Sequence, residues 1–562
     1  MKVDTKKIIL IAFMLSGMAA LIYEVVWTRP LQLIFGSTIY VSSIILASFM
    51  LGIGWGSLLM SKFIEKIKNP LYFYALFELF IGLFGISLIF LFNSLPNFYL
   101  KIYESLHQNF ALFSFTQFVL VFSLLLIPTL VMGATWPIVA KFYVKEKVGK
   151  GIGEIYSANN VGAIFGSFTS GFLLVPLLGI KESIIFAGIL NLIVGSTILL
   201  IANKKIAFKV LPLTFLIFIL FAIFSHYNIK ELSYGKFYYP FVPEDIIKES
   251  KLVFYKESPY STISVLEWRG AKSLMLNGKG QGGTMITDLR INFLLAYIPL
   301  LLHENPKTSL LIGLGTGTTA SILAKFTNTT TVEIDPYIYE AAKEFRPLSE
   351  GIFNNPNHTL VIADARNYLL WDKNKYDIIA SEPSDPWQSF STSLYSKEFY
   401  ELIKEHLNEN GLFVQWVPIY EFTPHDFKMF YKTFNSIFPY VLGFVNLKNF
   451  TSKGKIFNPT EIILVGSLKP INLDKVRVSQ RIMKVNEIQK DLIFINIFTP
   501  NQFFDLYLFN QDNLKGYADN ALIITDDRPI LEFSSARNIL TRERTFNEWV
   551  ISDLKEWLEK HG

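Results

Sequence analysis

The sequence predicts two different parts: an α-helical membrane domain of several spans, followed by an α/β domain with a largely parallel sheet. Three observations predict this architecture. Residues 1–227 of the 562 consist mainly of long apolar stretches. The rest of the chain alternates short apolar runs with helical patterns, which is typical of parallel sheets covered by helices. A glycine-rich turn, Gly313-Leu-Gly-Thr-Gly317, joins one such run to the next helical pattern.

The composition limits the classes of function. With 51% apolar residues, the chain is too apolar and too long for one ordinary soluble domain. Residues 1–227 hold 16 basic and 8 acidic residues, and the remainder holds 36 and 39, so the basic excess belongs to membrane loops and not to a nucleic-acid surface. The absence of cysteine excludes disulfides, thiolate metal sites and cysteine catalysis. The seven histidines show no metal-ligand spacing, so we predict no metal site.

Seven apolar stretches make up the predicted membrane domain, and most are long enough to span a bilayer. They fall near residues 7–28, 38–61, 71–93, 110–143, 157–179, 183–202 and 207–226. The first follows lysines, as in a signal peptide, but more spans come after it. We therefore predict that it is a retained first helix.

The loops between these stretches differ in charge. Thirteen lysines lie before the first stretch or after the even-numbered ones, whereas the opposite loops carry only Arg29, Lys101 and Lys181. Because basic loops stay in the cytoplasm, the N-terminus is predicted to be cytoplasmic. Seven complete crossings from there would place residue 228 on the opposite side.

After the membrane domain the chain changes character. Residues 228–250 are polar and irregular and are predicted to be a linker. Short alternating runs separated by glycines predict a small antiparallel sheet over residues 251–283. An α/β core of the nucleotide-binding, Rossmann type is predicted over residues 284–467, and residues 468–562 form a C-terminal extension.

The glycine turn is the first candidate binding element. Gly313, Gly315 and Gly317 follow a predicted strand and precede a predicted helix. Glycines let the backbone approach a ligand closely, and the N-terminus of the helix faces that ligand. We therefore predict that this loop, including Thr316, binds a nucleotide-like donor.

Acidic residues stand at the ends of the next three predicted strands. Glu333 is expected to accept hydrogen bonds from ribose hydroxyls, as acids at the end of the second strand usually do. Asp364 and Ala365 follow the third strand, and Glu382 and Asp385 follow the fourth. Since ligands of open α/β sheets bind along this edge, the four polar strand ends together are stronger evidence than the glycine turn alone.

At the level of motifs, residues 251–447 resemble the spermidine synthases, which are aminopropyltransferases built on the class I methyltransferase fold. The resembling segments are Asn277-Gly-Lys-Gly-Gln281, Leu300-Leu-Leu-His303, Val332-Glu-Ile-Asp335, Asp364-Ala-Arg-Asn-Tyr-Leu369 and Ser396-Lys-Glu-Phe-Tyr400. Residues 16–27 and 128–135 are similar to segments of membrane-fused members. The whole chain thus resembles the membrane-fused spermidine synthase-like family.

This resemblance implies a reaction. An aminopropyl group would pass from decarboxylated S-adenosylmethionine, or a related S-adenosyl donor, to a polyamine or other amine. The donor is a co-substrate, and no tightly bound cofactor is expected. Glu382 stands where the family has the acid that takes the amine proton, and Asp385 stands where it has the acid that holds the amine. The resemblance places Glu333 at the ribose, Asp364 and Ala365 at the adenine, and Gln281 at the donor or in a stabilising turn.

Departures from the family pattern concern the amine half of the site. The catalytic Asp of the synthases is Glu382 here. Thr316 replaces an acid that lies near the aminopropyl ammonium of the donor. Ser261 and Asn292 also replace family residues. The nucleoside half therefore looks intact, and the amine half altered.

The donor is made in the cytoplasm, so a domain that uses it is expected there. That expectation conflicts with seven complete crossings. The stretch 207–226, which is short and interrupted by Pro212, is therefore expected to lie in the interface or to re-enter. The predicted location is a multi-pass protein of the cell membrane with a cytoplasmic N-terminus and α/β domain.

Two other functions stay open. One is an S-adenosylmethionine-dependent methyltransferase or other transferase on the same scaffold. The other is a non-enzymatic membrane carrier or sensor, although Glu382 and Asp385 favour chemistry. The implied partners are the amine substrate and the lipid bilayer, with no nucleic acid, and a homo-oligomer is left open.

Overall fold

The computed structural model describes residues 5–145, 147–388, 391–446, 459–541 and 546–561. These residues form two compact units. The first contains the residues up to Pro243 together with Lys256–Thr262, and the second contains Glu244–Tyr255 and the residues from Ile263 onward. The boundaries predicted at residues 227, 250, 283 and 467 stay predictions.

The first unit is helical. Seven of its described helical segments are long and apolar enough to cross a membrane, and each overlaps one of the seven predicted stretches. The helices of this unit are α1 (Thr5–Phe35), α2 (Ile39–Phe63), α3 (Pro70–Leu106), α4 (Phe110–Tyr143), α5 (Val148–Thr169), α6 (Val175–Leu178), α7 (Ile180–Ala202), α8 (Lys204–Phe224) and α9 (Ile229–Ser233). The prediction of an N-terminal domain of apolar helices is confirmed, and membrane crossing stays a prediction.

Small residues and one buried acid hold these helices together. A Cβ added at Gly52 would lie 1.8 Å from Thr129 Oγ1, and one at Gly162 would lie 1.8 Å from the Met14 carbonyl oxygen. Glycine therefore allows α2 to approach α4 and α1 to approach α5. The buried Glu78 on α3 accepts hydrogen bonds from Ser16 Oγ of α1 (2.5 Å) and Asn191 Nδ2 of α7 (2.7 Å).

Part of the predicted linker is ordered. Helix α9 begins at Ile229, and the short helix α10 covers Glu244–Glu249. Between them Phe237 and Tyr238 are buried. Aromatic burial gives this segment packing contacts that its polar composition did not predict.

Most of a small four-stranded sheet belongs to the second unit, and its residues Lys256, Glu257 and Thr262 belong to the first. Its strands β1 (Lys251–Glu257), β2 (Thr262–Trp268), β3 (Ala271–Leu276) and β4 (Lys279–Gly283) lie side by side in chain order. The turn between β3 and β4 is Asn277-Gly278, and both residues have positive φ, 49° and 79°. Asn-Gly suits such two-residue hairpin turns because both residues tolerate that conformation.

The main sheet has eight strands, in the order β12-β10-β11-β9-β8-β5-β6-β7. They are β5 (Thr308–Ile312), β6 (Asn328–Glu333), β7 (His358–Ile362), β8 (Tyr376–Ser381), β9 (Leu407–Val417), β10 (Tyr440–Val445), β11 (Ile462–Ser467) and β12 (Tyr507–Asn510). The five neighbouring strands β9, β8, β5, β6 and β7 are parallel. Strands β11, β10 and β12 follow beside β9, and each pairs antiparallel with the strand next to it. This confirms the predicted Rossmann-type α/β domain.

Helices separate and follow these strands. They are α11 (Ile286–Leu302), α12 (Thr318–Leu323), α13 (Pro336–Ala342), α14 (Gly351–Asn354), α15 (Ala365–Trp371), α16 (Lys397–Glu405), α17 (Pro424–Asn435), α18 (Lys475–Lys484), α19 (Asn486–Phe494), α20 (Pro500–Phe504), α21 (Ile530–Thr541) and α22 (Phe546–His561). Strand order reverses between β5 and β8, because β6 and β7 lie on one side and β9 on the other. Such a reversal opens a crevice at the carboxyl ends of the strands.

Candidate active site

The glycine loop lies at this reversal, directly after β5. Gly313 and Gly317 have φ of +88° and +81°, which favour glycine. A Cβ at Gly313 would lie 2.8 Å from the Glu382 carbonyl oxygen, and one at Gly317 would lie 2.8 Å from Ile352 Cδ1. A Cβ at Gly315 would meet no atom within 4 Å. The loop therefore packs closely against the protein at Gly313 and Gly317 and leaves open space at Gly315.

Glu333 ends β6 and braces the loop. Its Oε2 accepts a hydrogen bond from the Leu314 amide (2.9 Å), and its Oε1 accepts one from the Asp335 amide (3.0 Å). Burial raises the pKa of Glu333, and these amides oppose the rise. Each carboxylate oxygen keeps further acceptor capacity, so Glu333 can hold the loop and still bind a hydroxyl.

Asp364 and Ala365 follow β7, the next strand of the sheet. The Asp364 side chain caps α15 by accepting a hydrogen bond from the Asn367 amide (2.9 Å), and Ala365 is buried. On the same helix Arg366 donates to both carboxylate oxygens of Asp526, at 2.7 and 2.6 Å. This pair ties the C-terminal extension to the third strand end.

Glu382 follows β8 and is half-buried. Its Oε1 accepts a hydrogen bond from Asn292 Nδ2 of α11 (2.6 Å), and its Oε2 accepts one from Thr319 Oγ1 of α12 (3.2 Å). Both partners are neutral. Loss of hydration on burial raises the pKa of Glu382 to about 8, although Thr319 and Asn292 favour the charged form. A carboxyl with this pKa can take up a proton near neutral pH.

Asp385 is fully buried. It forms a second group of polar side chains, here called the Asp385 group, with Lys279, Tyr420 and Glu421. It is ion-paired with Lys279 of β4, accepts a hydrogen bond from Tyr420 Oη (2.9 Å), and lies 3.5 Å from Gln281 Nε2. Lys279 Nζ also lies 3.1 Å from Glu421 Oε1. Burial alone would raise the pKa of Asp385, but Lys279 and the surrounding hydrogen bonds hold it below its ordinary value.

Strand β4 contacts the surroundings of both Asp385 and Glu382. Gln281 reaches Asp385, and a Cβ on the next residue, Gly282, would lie 3.1 Å from Thr316 Cγ2 and 4.0 Å from Asn292 Oδ1. Thr316 is itself buried, with its Oγ1 2.8 Å from Thr318 Oγ1. The glycine loop, Glu382 and Asp385 thus meet at one end of the sheet.

Several residues of this site were not predicted from the sequence. They are Thr319, Lys279, Tyr420 and Glu421, and Asn292 was singled out only as a departure from the family pattern. Lys279 carried a weak signal, since a lysine between Gly278 and Gly280 interrupts a strand-like run. Within the described ranges, no three His, Asp or Glu side chains are grouped as metal ligands.

Several known proteins are similar to this chain in sequence. Residues 290–459 match the family model described as the spermine/spermidine synthase domain. Polyamine aminopropyltransferase of Sulfurisphaera tokodaii is 32% identical over 38% of this chain and 74% of its own length. Polyamine aminopropyltransferase 2 of Aquifex aeolicus is 25% identical over 71% of this chain and 76% of its own length.

A solved structure is also similar: that of a spermidine synthase in complex with the transition-state analogue AdoDATO. It is 23% identical, with a TM-score of 0.37, and the match covers 42% of this chain and 80% of that one. The family model and the sequence relatives confirm the resemblance that the motifs indicated. The chain belongs to the spermidine synthase, or polyamine aminopropyltransferase, family of transferases.

Proposed function

We propose that this protein transfers an aminopropyl group from decarboxylated S-adenosylmethionine to an amine, with Glu382 as the base. Relatives that are named polyamine aminopropyltransferases support the reaction class. The observation that carries the role of Glu382 is a carboxyl with a raised pKa, bonded to neutral partners beside the glycine loop. The roles of the individual residues are our proposals.

The proposed chemistry needs one proton transfer. An amine with a pKa of about 10 is an ammonium at neutral pH and has no free electron pair. Glu382 in its ionised form accepts a proton from the ammonium, and the nitrogen attacks the donor carbon next to the sulfonium. A C–N bond forms, the C–S bond breaks, and 5′-methylthioadenosine leaves with the electron pair on sulfur. Asp385 lies near the path of the amine and, because it is already ion-paired, acts on the acceptor indirectly.

The donor is proposed to lie along the strand ends. Glu333 binds the ribose hydroxyls, and Asp364 and Ala365 border the adenine. Gly313, Gly315 and Gly317 let the backbone approach the donor, and the space at Gly315 supports this role. Gln281 contacts the donor on the side of β4.

Thr316 is proposed to set how strictly the donor is chosen. S-adenosylmethionine carries a carboxylate that its decarboxylated form lacks, and an acid at position 316 would repel it. Thr316→Asp should shift the preference toward the decarboxylated donor at least about tenfold, or about 1.4 kcal/mol. Thr316→Asn, whose side chain is isosteric with aspartate, should not cause this shift, because it adds no charge.

Calorimetric titration with the two donors measures this shift, and release of 5′-methylthioadenosine measures turnover. Equal exclusion of S-adenosylmethionine by wild type and Thr316→Asp would show that another residue supplies the selectivity. Slower release of nucleoside from the decarboxylated donor than from S-adenosylmethionine would contradict aminopropyl transfer itself.

We further propose that the seven apolar helices cross or line the cell membrane, with the N-terminus and the α/β unit in the cytoplasm. The lysine distribution supports the first placement, and the cytoplasmic origin of the donor supports the second. Under this proposal α8, which contains Pro212, lies in the interface and does not cross.

Cysteine labelling tests this topology, because the chain has no native thiol. Lys68, Gln108 and Lys251 are all exposed. An impermeant maleimide applied to intact cells should label Gln108→Cys, but should label Lys68→Cys and Lys251→Cys only after permeabilisation. Labelling of Lys251→Cys in intact cells would place the α/β unit outside and contradict the proposal.

A further inference from the structure

The Asp385 group contains the ammonium of a lysine side chain, Lys279. Lys279 Nζ is ion-paired with Asp385, lies 3.1 Å from Glu421 Oε1 and donates to Tyr420 Oη at 2.9 Å. An ammonium has three protons, and these three oxygens can accept all of them. The Lys279 side chain is 10% exposed, and those of Asp385 and Glu421 are 0% and 1% exposed. The group is therefore formed inside the protein and not on its surface.

The charges of the group nearly cancel. Burial, followed by the neighbouring Asp385, raises the pKa of Glu421 well above its ordinary value, which disfavours its charged form. The ammonium of Lys279 offsets the charge of Asp385, with which it forms an ion pair. A buried acid whose charge is offset in this way attracts a second cation only weakly.

This group and Glu382 are linked through neighbouring residues of β4. Gln281 contacts Asp385, while the adjoining Gly282 lies against Thr316 and near Asn292, the hydrogen-bond partner of Glu382. Two adjacent residues of β4 therefore contact the surroundings of the two acids, Gln281 those of Asp385 and Gly282 those of Glu382. A diamine whose first nitrogen lies at Glu382 would bring its second ammonium toward the Lys279 ammonium, and like charges repel.

We infer that Lys279 is a specificity-determining residue: its tethered ammonium occupies the acidic site at Asp385 and restricts the acceptor to amines with a single cationic nitrogen. This inference rests on the proposed function, because it concerns the acceptor of that reaction. The remote end of the preferred acceptor is uncharged. The residue acts by filling the place of a second ammonium, and it does not take part in the proton transfer.

Amine binding to the full-length protein tests this inference without turnover. Butylamine and 1,4-diaminobutane have the same carbon chain and differ by one ammonium. Calorimetry in the presence of 5′-methylthioadenosine should show that wild type binds the diamine no more than about threefold tighter than the monoamine. Tighter binding of the diamine by tenfold or more, or no binding of either amine, would overturn the inference.

The variant Lys279→Met removes the ammonium and keeps most of the side-chain length. It should bind the diamine at least about tenfold tighter than wild type does, with the affinity for the monoamine changed less than about threefold. Lys272→Met is the matched control, since Lys272 lies on the neighbouring strand β3 and its ammonium pairs with Glu344. It should leave both affinities unchanged. An unchanged ratio in Lys279→Met would show that its ammonium does not set acceptor choice.

A second variant covers the case in which Lys279→Met is unstable because Asp385 is left unpaired. Lys279→Met combined with Asp385→Asn removes both charges, so it should fold and show the wild-type ratio of affinities. A gain in diamine affinity in this double variant would contradict the role of Asp385. Failure of the proposed function would appear differently, as no release of 5′-methylthioadenosine with any amine while these binding ratios hold.

Discussion

Replacement of Glu382 by glutamine is expected to lower turnover by about 10²–10⁴-fold and to leave donor binding nearly unchanged. The glutamine amide cannot accept the proton that the attacking amine must lose. It fits the same space, because Asn292 can donate to its oxygen and its NH₂ group can donate to Thr319 Oγ1, which in turn donates to the Asn292 carbonyl oxygen at 3.2 Å. Loss of activity in this variant would therefore report chemistry and not misfolding.

Steady-state turnover and calorimetric donor binding, measured on the same preparation, check this expectation. Glu382→Asp keeps a carboxylate but shortens the side chain by one methylene. Its turnover should therefore lie between those of wild type and Glu382→Gln. Near-normal turnover of a folded Glu382→Gln would remove Glu382 from the role of base.

The raised pKa of Glu382 adds a pH dependence. Since the ionised carboxylate is the active form, kcat/KM for the amine should rise with pH up to about 8 and then level off. In the unfolded chain the same carboxyl loses its proton near its ordinary pKa of 4.5. The folded state therefore loses stability as the pH rises from about 4.5 to about 8. Above pH 8, Glu382→Gln should unfold at a higher temperature than wild type, and equal unfolding temperatures would contradict the raised pKa.

The second large effect is expected at Glu333. Glu333→Gln should weaken donor binding by about 1–3 kcal/mol, because it would remove the charge-assisted hydrogen bonds that we propose to the ribose and would present an NH₂ group to a backbone amide of the loop. Binding of 5′-methylthioadenosine, measured by calorimetry, reports the loss. Glu340→Gln removes the same charge from the exposed side of α13 and should change nothing.

A double-mutant cycle separates ribose binding from bracing of the loop. If Glu333 binds the ribose, the losses caused by Glu333→Gln and by the 2′-deoxy form of the ligand should not add. Additive losses would mean that Glu333 only supports the loop through the Leu314 amide. An unchanged affinity in Glu333→Gln would contradict both roles.

Much of this fold could be predicted from the sequence because its signals are local. The glycine loop, the strand-end acids and the Asn277-Gly278 turn each follow from neighbouring residues and from the alternation of strands and helices. Membership of the family was likewise predictable, since the motifs of the donor half are short and contiguous. The seven apolar helices also follow from length and composition alone.

The partners of the acids could not be predicted, because they depend on packing between distant segments. Asp385 pairs with Lys279, which lies on the small sheet and far away in the sequence. Asn292 reaches Glu382 from a helix on which nearly every residue is buried, so no pattern distinguishes it from the core. The order within residues 228–250 was missed because two buried aromatic residues outweigh a polar composition.

The nature of the transferred group is the most direct test of the function. Purified full-length protein would be incubated with decarboxylated S-adenosylmethionine and butylamine, and the products would be identified by mass spectrometry. We expect butylamine carrying one aminopropyl group, together with an equal amount of 5′-methylthioadenosine, and neither product from Glu382→Gln above the residual rate. Methylated amine and S-adenosylhomocysteine, formed only when S-adenosylmethionine is supplied, would contradict aminopropyl transfer.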